Sequence, residues 1–295
     1  VLVLGVALSV LVGVAIGLLG GGGSILMVTL LVYVLALPPH EAIATSLLVV
    51  GATSVAAIVA HARAGRVAWR TGLLFGLAGM VGSFGGARVA RHIPAGLLLV
   101  LFGAVMLATA VAMLRGGATP SQPASSREER STARQAGLAA QGLLVGAVTG
   151  LVGAGGGFLV VPALTLLGGL PMNVAVGTSL VVVALNAFAG FAGHLGASRI
   201  DVELTALVTG AALIGSLVGS RLAGRIPPDA LRRGFGVFVV AMAIFILGQQ
   251  IPESFGVAPG IMLPWAALAA LLTLLVGLVL RAVRRARLPT PRTAP

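Results

Sequence analysis

Displacing the chain against itself by 133 positions aligns residues 13–94 with 146–227 without a gap, and 30 of the 82 aligned positions are identical. Gly13, Gly17, Gly20, Gly22 and Gly23 fall on Gly146, Gly150, Gly153, Gly155 and Gly156. Pro38, Ala42, Thr45, Ser46 and Leu47 fall on Pro171, Ala175, Thr178, Ser179 and Leu180. His61, Arg66, Arg88 and Pro94 fall on His194, Arg199, Arg221 and Pro227. Shared apolar composition would not bring rare residues such as His and Pro into register. The chain is a duplication, so whatever one unit builds is built twice, and the two copies must fit each other.

Each unit is too apolar to face water. Of the 295 residues, 58% are hydrophobic and 9% charged, against about a quarter charged in a soluble domain. Runs of roughly 20 apolar residues match the hydrocarbon thickness at about 1.5 Å per residue. Each unit reads as a glycine-broken first element (1–37 and 137–169) followed by three spans. Those spans are expected at 42–61, 71–90 and 96–114, then at 173–193, 204–222 and 230–249, with an unpaired one near 261–280. The first segment has no basic start and has a counterpart deep in the chain, so it reads as part of the fold and not as a signal peptide.

The expected fold class is therefore an all-α polytopic membrane protein. Its expected parts are a first transmembrane repeat (1–114), a charged cytoplasmic linker (115–136) and a second repeat (137–250). An extra helix with a basic cytoplasmic tail (251–295) completes it. The linker carries Gly116, Gly117, Pro120, Pro123 and an Arg-Glu-Glu-Arg run at 127–130, composition that breaks helices.

Arginine placement decides how the two units are oriented. The net charge of +12 comes from 19 arginines with no lysine, and they lie at span ends and in connections. This placement fits membrane topology better than nucleic-acid binding. If each broken element dips in and returns, every unit crosses an odd number of times and the copies are inverted. The arginines then split 16 inside to 3 outside (Arg88, Arg91 and Arg199). A single kinked element would make the units parallel, and the split would fall to 11 against 8. Positive charge is retained on the cytoplasmic side, so inverted-topology repeats are expected. Interrupted helices in inverted repeats are a recurrent transporter plan, with the site near the midplane.

The breaks themselves are the sharpest local feature. Gly20-Gly21-Gly22-Gly23-Ser24 and Gly153-Ala154-Gly155-Gly156-Gly157 would sharply weaken a continuing helix. Non-helical backbone at membrane depth survives only where protein or a wet cavity surrounds it. A half-helix starting there aims free N–H groups and its positive dipole end inward, which suits an anion. Glycine runs also allow close helix packing, and both readings stand for these two stretches. For Gly13–Gly17, Gly82–Gly86 and Gly215–Gly219 the expectation is packing.

Thr45, Ser46, Thr178 and Ser179 open the next span of each unit, just after a helix-starting proline. Their hydroxyls either replace water around an oxyanion or bond back to their own helix carbonyls. Asn186 and its counterpart Thr53 lie two turns deeper and are weaker candidates. His61 and His194 close the same spans as gating or proton-responsive groups, or as cations placed at a helix C-terminus. All seven acids lie at ends or in loops, which disfavours a carboxylate-driven cation pump. With no cysteine, no buried acid and no phosphate-binding motif, neither an enzyme nor any cofactor or metal is expected.

Together the motifs Gly17–Leu26, Gly150–Pro162, Leu37-Pro38 through Leu47, Gly169–Leu180, His61 with Gly65-Arg66, and Gly193-His194 with Asp201 resemble the TauE/SafE sulfite exporter family. Thr29 departs from the pattern, since Pro162 stands at the matching position and the family commonly has proline there. The resemblance implies alternating-access export of sulfite or an organosulfonate such as sulfoacetate from a bacterial cytoplasm, across the inner membrane. The partners are then a small sulfur-containing anion and the lipid bilayer, without nucleic acid. An anion channel, an importer of a related oxyanion such as thiosulfate, and a non-transporting membrane scaffold are the competing expectations.

Overall fold

Proline and glycine punctuation sets where the helices begin and stop. The computed structural model describes residues 2–90, 92–93, 95–115, 132–152, 157–194 and 201–248. In chain order the elements are α1 (Leu2–Leu19), a 3₁₀ turn (Gly20–Gly23), α2 (Ser24–Tyr33), α3 (Pro39–Arg63), α4 (Trp69–Ala90) and α5 (Ala95–Arg115). The second half gives α6 (Thr132–Val152), α7 (Gly157–Pro162), a π turn (Ala163–Leu167), α8 (Met172–His194), α9 (Val202–Ala223) and α10 (Pro228–Gly248). All regular structure among the described residues is helical. Helices stand where the six spans are expected, as α3, α4, α5, α8, α9 and α10, and the first element of the first unit is broken at Gly20–Gly23. In the second unit α6 ends at Val152 and α7 begins at Gly157, and residues 153–156 lie outside the described residues. The helix α6 starts at Thr132, inside the segment expected as linker. The linker core 116–131 and the extra span near 261–280 lie outside the described residues.

Local signals explain the boundaries. Pro39 occupies the first turn of α3 behind an extended Pro38, where its missing N–H costs nothing. Gly65 (φ +66°) ends α3, with Arg66 N donating to His61 O at 2.9 Å and Gly65 N to Ala62 O at 2.9 Å. This left-handed closure satisfies carbonyls that the helix leaves free. Asp201 caps α9 by accepting from Leu204 N at 3.0 Å.

Among the described residues four helices are long and apolar enough to cross a membrane: Leu2–Leu19, Glu41–Arg63, Met172–Ala192 and Val202–Ala223. Val3 is 84% exposed, Val202 76% and Val81 66%. A surface this apolar suits lipid and not water. The chain is a polytopic membrane protein.

Packing runs between the units. A Cβ added at Gly13 would strike Ala212 O, and one at Gly17 would strike Ser216 O, so α1 lies backbone to backbone along α9. The equivalent pair repeats this, because Gly146 meets Gly79 O and Gly82 meets Leu143 O where α6 lies along α4. The same offset converts Gly215 against Val10 and Val14 into Gly82 against Leu143 and Ala147. Small residues let backbones approach, and dispersion drives the association in lipid. The packing expected for the Gly13, Gly82 and Gly215 stretches is what these contacts are.

The pair α3 and α8 behaves differently. Gly190 faces Leu47, Gly51 faces Phe188, and Gly177 faces the Cβ of His61. Rising numbers along α3 meet falling numbers along α8, so these two matched helices run antiparallel. The buried core gathers around them, with Phe75, Phe158, Phe235 and Phe238 as its largest side chains alongside Ile16, Leu26 and Met27.

Candidate functional site at the meeting of the two breaks

The first break opens at Gly20, whose φ of +75° is a conformation that glycine reaches without a Cβ penalty. Gly20–Gly23 then wind as a 3₁₀ turn, with Gly22 inside it, and α2 restarts at Ser24. Ser24 Oγ donates to Gly21 O at 2.9 Å and its N–H bonds the same carbonyl. The second break emerges at Gly157, the first residue of α7. The two meet there: a Cβ on Gly157 would stand 2.6 Å from Gly21 Cα and 2.7 Å from Gly21 C. Gly20 has no room for a Cβ because Ser179 Oγ occupies it, and Gly23 abuts Ile16. The structure therefore brings Gly20, Gly21, Gly157 and Ser179 together. The surroundings of Gly20, Gly21, Gly23 and Gly157 are close-packed. Gly153, Gly155 and Gly156 lie outside the described residues.

The hydroxyls flanking this meeting point are buried: Thr45, Ser46, Thr178 and Ser179. Ser46 Oγ donates to Ile43 O and Ser179 Oγ to Val176 O, both at 2.8 Å, the back-bonded arrangement. Thr178 Oγ1 does something else, accepting from Ala68 N–H at 3.0 Å. It thereby ties the loop between α3 and α4 of the first unit to α8 of the second. Thr178→Val leaves that N–H unpaired and is expected to destabilise the protein by about 1–3 kcal/mol. Thr178→Ser keeps the acceptor and should melt close to the parent. Thermal unfolding in detergent measures both.

Midway along α3 and α8 sits a second polar group of residues. Asn186 Oδ1 and Ser54 Oγ are buried without a hydrogen-bond partner. Thr53 Oγ1 donates back to Val49 O at 2.7 Å, and Ser216 Oγ reaches Thr53 O at 3.3 Å. Buried polar atoms without partners are uncommon and call for an explanation. Thr53 and Asn186 are repeat equivalents, so these orphans flank the level at which α3 and α8 cross.

At the end of α3, His61 is fully buried and its Nε2 lies 3.1 Å from Gly17 O. A carbonyl accepts only from an N–H, so Nε2 carries the proton and donates. Nδ1 is then a buried acceptor without a donor. Arg66, five residues on, was matched to Arg199 by the repeat but given no role by sequence. Its Nη2 donates to Ser220 O at 3.5 Å, while Nε and Nη1 are buried without an acceptor. Burial pushes its pKa below the ordinary value. His194 closes α8, and its side chain lies outside the described residues. No cluster of three His, Cys, Asp or Glu able to hold a metal occurs among the described residues.

Known proteins agree with the motifs quoted above. The family model described as Sulfite exporter TauE/SafE matches residues 5–246. A probable membrane transporter protein of Xylella fastidiosa (strain 9a5c) is 37% identical over 245 residues, covering 81% of this chain and 92% of its own length. The probable membrane transporter protein YdhB of Bacillus subtilis (strain 168) is 28% identical over 223 residues, covering 75% and 90%. One from the archaeon Methanocaldococcus jannaschii is 26% identical over 259 residues, covering 81% and 94%. No solved structure matches the chain. With the family model spanning most of the chain and relatives named as transporters, the chain belongs to the TauE/SafE sulfite exporter family of membrane transporters, which are not enzymes.

Proposed function

We propose that this transporter exports a small sulfur-containing anion, sulfite or an organosulfonate such as sulfoacetate, from a bacterial cytoplasm across the inner membrane by alternating access. Residues 1–114 and 137–250 form two inverted repeats, joined by the cytoplasmic linker 115–136 and followed by an extra helix and basic tail at 251–295. Antiparallel α3 and α8 support the inversion, since matched helices of parallel repeats would run the same way. The arginine census supports the cytoplasmic side.

The contact of Gly21 with Gly157 carries the proposal. It joins the starts of two half-helices at the line about which the repeats are related, where a rocking motion of one unit on the other changes exposure least. Gly20 to Ser24, Thr45, Ser46, Ser179 and Asn186, with Gly153, Gly155, Gly156 and Gly157 of the second break, line the anion there. Backbone N–H groups hold it without a side-chain charge, joined by Ser24, Ser46 and Ser179 once their hydroxyls turn from the helix carbonyls they bond at rest. Thr178 positions the neighbouring loop. His61 and His194 act as gates at opposite faces.

Purified protein in proteoliposomes is expected to move sulfite or sulfoacetate with saturable kinetics and to gain thermal stability from the anion it carries. Flux that stays linear with concentration points to a channel, and a preference for thiosulfate uptake points to an importer. Absence of both flux and stabilisation with sulfite, sulfate, thiosulfate, taurine and sulfoacetate overturns transport of these anions and leaves the scaffold.

A further inference from the structure

The ends of α3 and α9 meet, because Arg66 reaches Ser220 O and its Nη1 would lie 3.1 Å from a Cβ on Gly224. The sequence around these ends supplies Arg63, Arg66, Arg70, Arg221 and Arg225. The repeat matches them to Gly196, Arg199, Glu203, Arg88 and His92. Five guanidinium groups therefore stand against a matching set with two and a carboxylate. Membrane topology accounts for Arg63, Arg70, Arg221 and Arg225, which are all exposed. It does not account for Arg66.

Arg66 is half-buried, and two of its three guanidinium nitrogens have no acceptor. Its one guanidinium bond among the described residues, at 3.5 Å to a helix-terminal carbonyl, sits at the limit of hydrogen-bond length. Among the described residues no carboxylate meets it. A guanidinium is weakly hydrated and stays charged, and its donors match the oxygens of a tetrahedral or planar oxyanion. Its loop is anchored on three sides. Arg66 N donates to His61 O at 2.9 Å, Ala68 N donates to Thr178 Oγ1 at 3.0 Å, and Arg66 O packs against Gly177. His61 in turn fixes the end of α3 on α1 through Gly17 O. The guanidinium is thus held in place while Nε and Nη1 are left without an acceptor.

We propose that Arg66 is a separate oxyanion-binding subsite at the mouth formed by the ends of α3 and α9, where the anion is captured before it reaches the meeting of the two breaks. His61, the gating residue of the transport proposal, also holds this loop through its bond to Gly17 O. The subsite deepens the transport proposal above and rests on it for its place in the cycle.

The test uses the full-length protein and four probes: sulfite, sulfoacetate, sulfate and inorganic phosphate. Arg66→Gln is expected to weaken binding of the favoured oxyanion by on the order of tenfold or more and to raise the transport KM with kcat nearly unchanged. Arg63→Gln removes an equal charge from the same face and should change Kd less than about twofold. Arg66→Lys should fall between them, restoring charge without the planar fork. Unchanged Kd and KM in Arg66→Gln overturn the subsite while transport stands. Equal losses in Arg63→Gln and Arg66→Gln overturn it too, because net charge alone would then explain both. A lower melting temperature in Arg66→Gln with anion affinity intact reduces Arg66 to a tie between α3 and α9. Oxyanion binding that depends on Arg66 without any flux keeps the subsite and removes the transport proposal.

Discussion

Leucine at Gly21 is expected to bring anion flux in proteoliposomes to background and to lower the melting temperature at the same time. A Cβ there meets the backbone of Gly157 and a methyl of Val183. Backbone cannot rotate away as a side chain can. Relief therefore requires α2 and α7 to separate, at a cost of about 1–3 kcal/mol for one added carbon and more for a branched side chain. Gly21→Ala should lie between parent and leucine variant. Gly85→Ala is the control, since nothing lies within 4 Å of an added Cβ at that position. It should melt at or slightly above the parent, because alanine favours helix by about 1 kcal/mol. A glycine that only lines a substrate path predicts lost flux with an unchanged melting temperature. A glycine in backbone contact predicts that both fall together. If Gly21→Leu retains parental flux and stability, the two breaks do not touch.

Sequence could reach this far because the punctuation is strong. Pro38-Pro39, Gly65, Asp201 and Pro227-Pro228 each act through local backbone geometry, so the helices they bound were legible to within a few residues. The glycine runs were legible as breaks for the same reason. What they touch was not, because periodicity identifies a face and never its partner. Nothing local in α1 says that it packs along α9 of the other unit. Thr178 shows the same limit: a hydroxyl in a first turn reads as a ligand group, yet its hydrogen-bond partner is Ala68, 110 residues away. Arg66 was hidden by its company. Four exposed arginines in similar loops made it look topological, and only its burial and unpaired nitrogens set it apart. Its signal was present as the match to Arg199 beside the match of His61 to His194.

A disulfide between Leu47→Cys and Gly190→Cys should form readily on oxidation, and one between Leu47→Cys and Leu180→Cys should not form at all. The chain has no native cysteine, so each pair reports alone. In the antiparallel arrangement a Cβ at Gly190 stands 3.2 Å from Leu47 Cδ1 and 3.9 Å from Leu47 Cγ, within the reach of a disulfide after small adjustment. Leu47 and Leu180 are repeat equivalents. They lie about six residues to either side of the level of Thr53 and Asn186, hence about 18 Å apart at 1.5 Å per residue. Parallel repeats would reverse both outcomes. A protease site inserted near Ser125 makes the result visible on a gel, because only a cross-linked chain stays full-length after cleavage. Separated halves from the 47–190 pair, with intact chain from the 47–180 pair, would sink the inverted arrangement. The same cross-link also bears on mechanism. If the units rock against each other along α3 and α8, locking residue 47 to residue 190 arrests flux and reduction restores it, whereas a channel with static repeats keeps conducting through the locked pair.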